Sequence, residues 1–236
     1  DHVLRVTLAA DSEKKLEKLK ETYQTYVNQH NFYQGKSIRF DAEAITILDT
    51  PSTTFEKVVL PDNIINEYKL NTVEFLQNEK LRSDSQHRSV ILYGPPGCGK
   101  TSLISATFNE LNALGVTCAY LTTDSFQRRD IETVIQFCLD YLCPMVLCFE
   151  DIDLIAYSRE TGSSSIIGPL LSVLNGIEDI KKPLVFVSTT NRFDVLDSAV
   201  TRPCRIDRRF KFDYPSKEYI NKIFKSILKV DAPHEI

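Results

Sequence analysis

The chain's 236 residues carry 28 Lys and Arg against 32 Asp and Glu, a formal charge of −4, with 42% hydrophobic and 25% charged side chains. That balance belongs to a globular α/β core with accessory pieces and gives no bulk attraction to nucleic acid or anionic lipid. No apolar run approaches the roughly 20 residues that span a bilayer. The six cysteines form no C-x-x-C pair and the four histidines are scattered, so the thiols read as buried groups of an intracellular, reducing compartment rather than as disulfides or a zinc site.

In chain order, Val3 to Leu8 alternates like a strand, and Asp11 or Ser12 caps a charged amphipathic helix with Leu16, Leu19, Tyr23, Tyr26 and Val27 on one face. Gly35 breaks the pattern, and Ile38 to Phe40 with Ala44 to Leu48 predicts a short strand pair or an extended segment. Residues 1–50 therefore read as an accessory segment, too small for a core of its own. The chain begins at Asp1 rather than Met, which reads as a segment of a longer protein, with room upstream for a membrane anchor or partner domain. Thr50-Pro51-Ser52-Thr53-Thr54 is a breaker-rich linker. Beyond it, Pro61 suits a first helical position, and the pattern predicts one helix to about Asn78.

The most informative stretch is Gly94-Pro95-Pro96-Gly97-Cys98-Gly99-Lys100-Thr101, which fills every fixed position of the phosphate-loop pattern G-x-x-x-x-G-K-[ST]. An apolar run, Ser89 to Tyr93, precedes it, and Ser102 to Leu114 follows at helical spacing. In strand–loop–helix context the glycines let backbone N–H groups turn toward phosphate oxygens, and the helix start adds its positive dipole end. Lys100 reaches the outer phosphates of a nucleoside triphosphate and the Thr101 hydroxyl ligates Mg²⁺. Cys98 is a small side chain tolerated in the loop, or a thiol whose oxidation obstructs nucleotide.

Four more apolar strands are predicted at Thr117–Leu121, Met145–Phe149, Leu184–Ser188 and Arg209–Phe212, separated by helical stretches. The alternation predicts a parallel sheet with helices on both faces and ligands at the strands' carboxyl ends. The third of these five strands delivers Glu150-Asp151-Ile152-Asp153. One carboxylate there holds the metal and its neighbour polarises the attacking water, while Asp153 points onward to a neighbouring subunit or an arginine. The next strand closes on Ser188-Thr189-Thr190-Asn191; the Asn191 amide orients a lytic water, or it caps the following turn. Arg202-Pro203-Cys204-Arg205-Ile206-Asp207-Arg208-Arg209 is a basic cluster in an otherwise slightly acidic chain. It reads as arginines supplied in trans to a phosphoryl group, as a salt-bridged surface patch, or as a DNA-contacting patch.

Together these blocks resemble the AAA ATPase family, and within it the branch that contains the mitochondrial cytochrome-bc-complex assembly translocase. The resemblance covers Val3 to about Phe224 and also rests on Val58-Val59-Leu60-Pro61, on Leu170 to Ile177, and on Thr189 to Arg208, the family's second region of homology. It implies a P-loop three-layer sandwich with a five-stranded parallel sheet (residues 51–213), preceded by the end of a membrane-side or client domain and followed by the start of a helical lid (214–236). By the resemblance, Gly94 to Ser102 bind nucleotide, with Lys100 and Thr101 as the Walker A residues; Glu150 and Asp151 are the Walker B pair, Thr101 and Glu150 hold Mg²⁺, and Asn191 is sensor 1. Arg202 and Arg205 match arginine fingers, and the backbone at Val59 and Leu60 matches the segment that touches adenine.

The family forms hexameric or heptameric rings that hydrolyse ATP to remodel or move a protein client. That implies no nucleic-acid partner here, and membrane attachment only through a segment upstream of Asp1. Phe126 falls in the loop that faces the ring's channel. Three departures stand out: the order Glu-Asp where Asp-Glu is commoner, Cys204 where glycine is usual, and only the first lid helix (Lys217 to Lys229) in the chain. The shorter Asp151 implies slow turnover. Competing functions are a DNA-associated AAA+ ATPase of clamp-loader or initiator type, a P-loop small-molecule kinase, and an ATP-binding module with little hydrolysis.

Overall fold

The computed structural model describes residues 9–41, 43–122, 125, 131–157, 181–196 and 205–228. Seven strands, β1 (Ser37–Phe40), β2 (Ile45–Leu48), β3 (His87–Tyr93), β4 (Thr117–Leu121), β5 (Met145–Phe149), β6 (Leu184–Thr190) and β7 (Arg208–Lys211), form one sheet in the order β2-β1-β4-β5-β6-β3-β7. All pairings are parallel except β1 with β2. The helices among the described residues are α1 (Glu13–Gln29), α2 (Asp62–Asn71), α3 (Val73–Gln77), α4 (Lys100–Ala113), α5 (Ile131–Tyr141), α6 (Ile152–Tyr157) and α7 (Lys217–Leu228). None is long and apolar enough to cross a membrane.

The five expected parallel strands lie side by side, but the sheet is larger than five. Residues 37–48 join its β4 edge, with β1 in register from Ser37↔Cys118 to Phe40↔Leu121 and β2 antiparallel beyond it. The physical reason is twofold. An open β4 edge would leave a row of unpaired N–H and C=O groups, and Ile38 and Phe40 bury completely in the core that β4 and β5 share. The strand expected at Val3 to Leu8 lies outside the described residues.

Successive residues of the buried strands alternate between two cores, as a two-residue period requires. Val90, Leu92, Val146 and Val187 face one side and meet Tyr68, Phe75, Leu103 and Phe108 of α2, α3 and α4. Ile91, Leu147 and Phe186 face the other and meet Ile131, Val134 and Ile135 of α5. Helices on both faces of a mostly parallel sheet make the expected three-layer α/β sandwich.

Two helical details differ from the sequence pattern. The helix expected to run from Pro61 to Asn78 breaks at Thr72 (φ −125°, ψ −80°), whose hydroxyl donates to the Tyr68 carbonyl at 2.7 Å. Helix α1 does start after Ser12, yet the Ser12 side chain makes no capping bond; Asp11 instead accepts from Lys15 at 2.7 Å. The apolar face of α1 is also thinly covered, since Leu19 and Tyr26 remain 40% and 61% exposed. Polar ties to the end of α5 hold this region: Gln24 Nε2 and Asn31 Nδ2 donate to the Asp140 and Tyr141 carbonyls at 2.9 and 2.6 Å.

The end of β3 is fixed tightly against β7. Phe212 N–H donates to the Tyr93 carbonyl at 2.7 Å, and Gly94 N–H to Thr190 at 3.3 Å. Gly94 has φ +142°, and a Cβ there would lie 2.0 Å from the Phe212 carbonyl oxygen. Gly94→Ala is therefore expected to cost on the order of 3 kcal/mol, read as a lower denaturant midpoint. An unchanged midpoint would mean that Phe212 moves aside freely.

Candidate active site

Gly94, Pro95, Pro96, Gly97, Cys98 and Gly99 form the turn between β3 and α4, and Lys100, Thr101 and Ser102 begin the helix. Gly99, in the left-handed region at φ 95°, ends the loop at the N-cap of α4. Its conformation favours glycine, and the first N–H groups of the helix that follows have no partner within it. Lys100 is only 7% exposed. Its Nζ donates to the Gly94 and Pro95 carbonyls at 2.7 and 2.8 Å. Burial lowers the pKa of this ammonium, opposed by Cys98, Asp151 and Asp153 nearby. The loop thus sets a cation beside a helix start, the electrostatics an anion requires.

The carboxylates arrive from β5, two strands away in the sheet, with β6 between. Thr101 Oγ1 donates to Glu150 Oε1 at 3.1 Å, which ties the first turn of α4 to the end of β5. Burial raises the Glu150 pKa, the Asp151 charge adds to the rise, and the Thr101 hydroxyl opposes it. A hydroxyl and a carboxylate oxygen beside a phosphate loop are the hard donors that Mg²⁺ accepts, so the residues present fit the ion. Asp151 adopts φ 52°, the left-handed region that Asp tolerates better than most residues. Two bonds hold it there: its N–H donates to Thr189 Oγ1 at 3.0 Å, and its Oδ1 accepts from Asn191 Nδ2 at 3.1 Å.

The expectation that Asp153 points onward to a neighbour or an arginine is corrected. Asp153 is 8% exposed and turns inward onto β6. Its Oδ1 accepts from Thr190 Oγ1 at 2.8 Å and from Asn191 N–H at 3.4 Å. The cause is the fully buried Thr190 hydroxyl, whose desolvation is offset by a strong acceptor.

Arg205 is half-buried in the turn before β7. Two residues on, Asp207 exchanges bonds with Ser89: Ser89 N–H donates to Asp207 Oδ2 at 2.7 Å and Asp207 N–H to the Ser89 carbonyl at 2.9 Å. Ser89 precedes Gly94 by five residues, about 17 Å along a strand at roughly 3.3 Å per residue. Arg205 is therefore at the amino ends of the strands, the end of the sheet away from its own phosphate loop. Arg202, Cys204, Phe126 and the block from Leu170 to Ile177 lie outside the described residues.

Beside the loop opens a cavity of about 480 Å³, the size of a small-molecule site. Val59 and Leu60 line it as expected, together with Gly97, Cys98 and Ser102. Sequence reasoning missed its other wall, Phe212, Tyr214, Tyr219 and Ile223. The available signal was Tyr214 beside Pro215 where the last strand gives way to the lid helix, and Tyr219 in that helix's first turn. Thr189 and Thr190 were read as part of a strand end, without their bonds to the acidic segment.

Residues 90–214, more than half the chain, match the ATPase family associated with various cellular activities (AAA). Among curated proteins, the chain is 35% identical over 143 residues to Protein mac-1 of Caenorhabditis elegans, which covers 57% of this chain and 17% of that protein. It is 30% identical over 181 residues to an AAA ATPase forming ring-shaped complexes from Corynebacterium glutamicum, covering 67% of this chain and 34% of that one. It is 28% identical over 193 residues to proteasome-activating nucleotidase 2 of Haloferax volcanii, covering 75% of this chain and 46% of the relative. The chain thus spans less than half the length of these relatives. With its phosphate loop, paired strand-end carboxylates and mostly parallel sheet, the chain belongs to the AAA family of ATPases.

Proposed function

We propose that this chain is the ATP-binding and ATP-hydrolysing module of a ring-forming motor that remodels or translocates a protein client, in the branch that contains the mitochondrial cytochrome-bc-complex assembly translocase. The observation that carries the reading is the convergence of Thr101 with Glu150, and of Asp151 with Asn191, beside the phosphate loop. Loop N–H groups and Lys100 bind the phosphates, and the cavity between Leu60 and Tyr219 receives the base. Thr101 and Glu150 hold Mg²⁺, which when bound neutralises charge on the phosphates. Asp151 orients and deprotonates the attacking water, and Asn191 holds its carboxylate in place.

A ring is supported by the position of Arg205 at the end of the sheet away from its own nucleotide, and by the ring-shaped complexes named for the Corynebacterium relative. Arg202 and Arg205 act from the neighbouring subunit in a hexamer or heptamer. Five free cysteines among the described residues accord with a reducing intracellular compartment.

Binding and turnover separate by substitution in the full-length protein. Lys100→Ala is expected to abolish ATP binding in a fluorescent-nucleotide titration. Asp151→Asn, which keeps the left-handed backbone, should bind ATP normally and lose at least about 100-fold in hydrolysis; undiminished turnover would remove Asp151 from the chemistry. Arg205→Ala is expected to lose roughly 10³-fold in rate. Mixing it with Lys100→Ala should restore part of that rate, and full activity of Arg205→Ala alone would end the trans reading.

The raised pKa of Glu150 makes a stability forecast. The folded state binds this proton more tightly than the unfolded chain does, so the favourable contribution exists at low pH and disappears as pH rises through the folded-state value. Without nucleotide or Mg²⁺, Glu150→Gln should therefore raise Tm at pH 7.5, and the gain should shrink toward pH 4. A gain that grows on acidification would contradict burial as the cause.

A further inference from the structure

The short acidic segment after β5 is laced to the end of β6 by four bonds, and only two of them involve Asp151. Asp151 N–H reaches Thr189 Oγ1, and Asp151 Oδ1 takes the Asn191 amide. Asp153 Oδ1 takes the Thr190 hydroxyl and the Asn191 backbone N–H, the second a long contact at 3.4 Å. Thr190 Oγ1 in turn accepts from Arg192 N–H at 3.0 Å. Asn191 is therefore gripped from both sides, its side chain on Asp151 and its backbone on Asp153. Its residue is otherwise exposed, whereas Thr190 is fully buried and Asp153 nearly so.

Geometry explains why this arrangement matters. Beyond Thr190 the β-ladder ends, since β3 pairs with β6 only as far as Tyr93↔Thr190. The Asn191 peptide thus leaves the sheet and needs another partner to define its direction. Asn has only two side-chain torsions, so the peptide's orientation sets where its amide falls. A buried carboxylate accepting one hydroxyl and one N–H is a stiff, charge-assisted strut.

We propose that Asp153 is a positioning residue: by holding the Thr190 hydroxyl and the Asn191 backbone, it fixes the Asn191 amide on the Asp151 carboxylate in the orientation hydrolysis requires. The proposal rests on reading Asp151 and Asn191 as the hydrolytic pair, and it assigns Asp153 no contact with nucleotide. It predicts a loss confined to turnover. A defect in phosphate binding belongs instead to Lys100 and the loop.

The test uses the full-length protein carrying Asp153→Ala, Asp153→Asn and Thr190→Val, with two independent readouts. Amide hydrogen exchange without nucleotide reads the strut itself. Asp153→Ala should raise exchange at Asn191 at least tenfold while β5 and β6 amides keep their protection; unchanged exchange at Asn191 overturns the proposal whatever the activity. Steady-state kinetics reads its consequence. Asp153→Ala should lower kcat 10- to 100-fold with KM for ATP within twofold, and Asp153→Asn, whose amide oxygen still accepts both bonds, should recover to within about threefold of the parent. An equal loss in kcat for the Ala and Asn variants, or a KM that rises as kcat falls, overturns it. If Asp153→Ala does not fold, Thr190→Val keeps the volume, removes the hydroxyl's bond to Asp153 together with the one it accepts from Arg192 N–H, and should lower kcat several-fold at constant KM; a wild-type kcat for that variant counts against the strut. Absence of hydrolysis in the parent protein would defeat the functional reading, while the exchange measurement still decides whether Asp153 orders Asn191.

Discussion

Parallel pairing of β6 with β3 on one side and β5 on the other brings three strand ends together, with β5 stopping two residues short of the other two. The register runs Tyr93↔Thr190 across one ladder and Phe149↔Ser188 across the other. All seven residues of β6 are buried, so neither ladder can slip without turning apolar side chains into the wrong core. Everything chemical follows from this. The loop after β3, the carboxylates after β5 and the amide after β6 meet because their strands run parallel and end within two residues of one another. The Asp207–Ser89 exchange does the same at the opposite end by fixing where β7 starts.

The site is built from groups that cost stability without a ligand. Lys100 is buried against its own loop carbonyls, and Glu150 is desolvated beside another carboxylate. Burial alone shifts each toward its neutral form. Together with an anionic nucleotide and a divalent cation, both charges find partners in a region of reduced dielectric, where such pairing is worth more than in water. The surrounding frame supplies the compensation: two apolar cores, one on each face, with Tyr68, Phe75, Phe108, Ile91 and Ile131 almost wholly removed from solvent.

Much of this was legible in the sequence where the determinants are local. The phosphate loop announces itself because its glycines, lysine and threonine act within one turn, and the buried strands because each is a short apolar run between polar stretches. What escaped depends on partners distant in the chain. Nothing around Ser37 to Phe40 says that β4 is its neighbour, since a short edge strand carries no record of the ladder it joins. The pattern sends Asp153 onward to a neighbouring subunit or an arginine; its inward turn depends on Thr190, 37 residues away. The base-side cavity was half seen, because Tyr214 and Tyr219 reach it only once α7 folds back beside Leu60. The break at Thr72 reflects a local hydroxyl-to-carbonyl bond that competes with the helix, which helical periodicity alone does not reveal.

The backbone at Asp151 narrows the alphabet of amino acids open to this chain. A residue with φ 52° sits in a well that Asp and Asn enter far more readily than longer or branched side chains. Reversing the two carboxylates to the commoner order would set a glutamate in that well and a shorter acid opposite Thr101. Glu150→Asp shortens the reach to Thr101 Oγ1, and Asp151→Glu puts a longer side chain in the left-handed well and displaces the carboxylate from Asn191, so each exchange alone perturbs one of the two bonds. The order seen here is thus held by conformation as well as by chemistry.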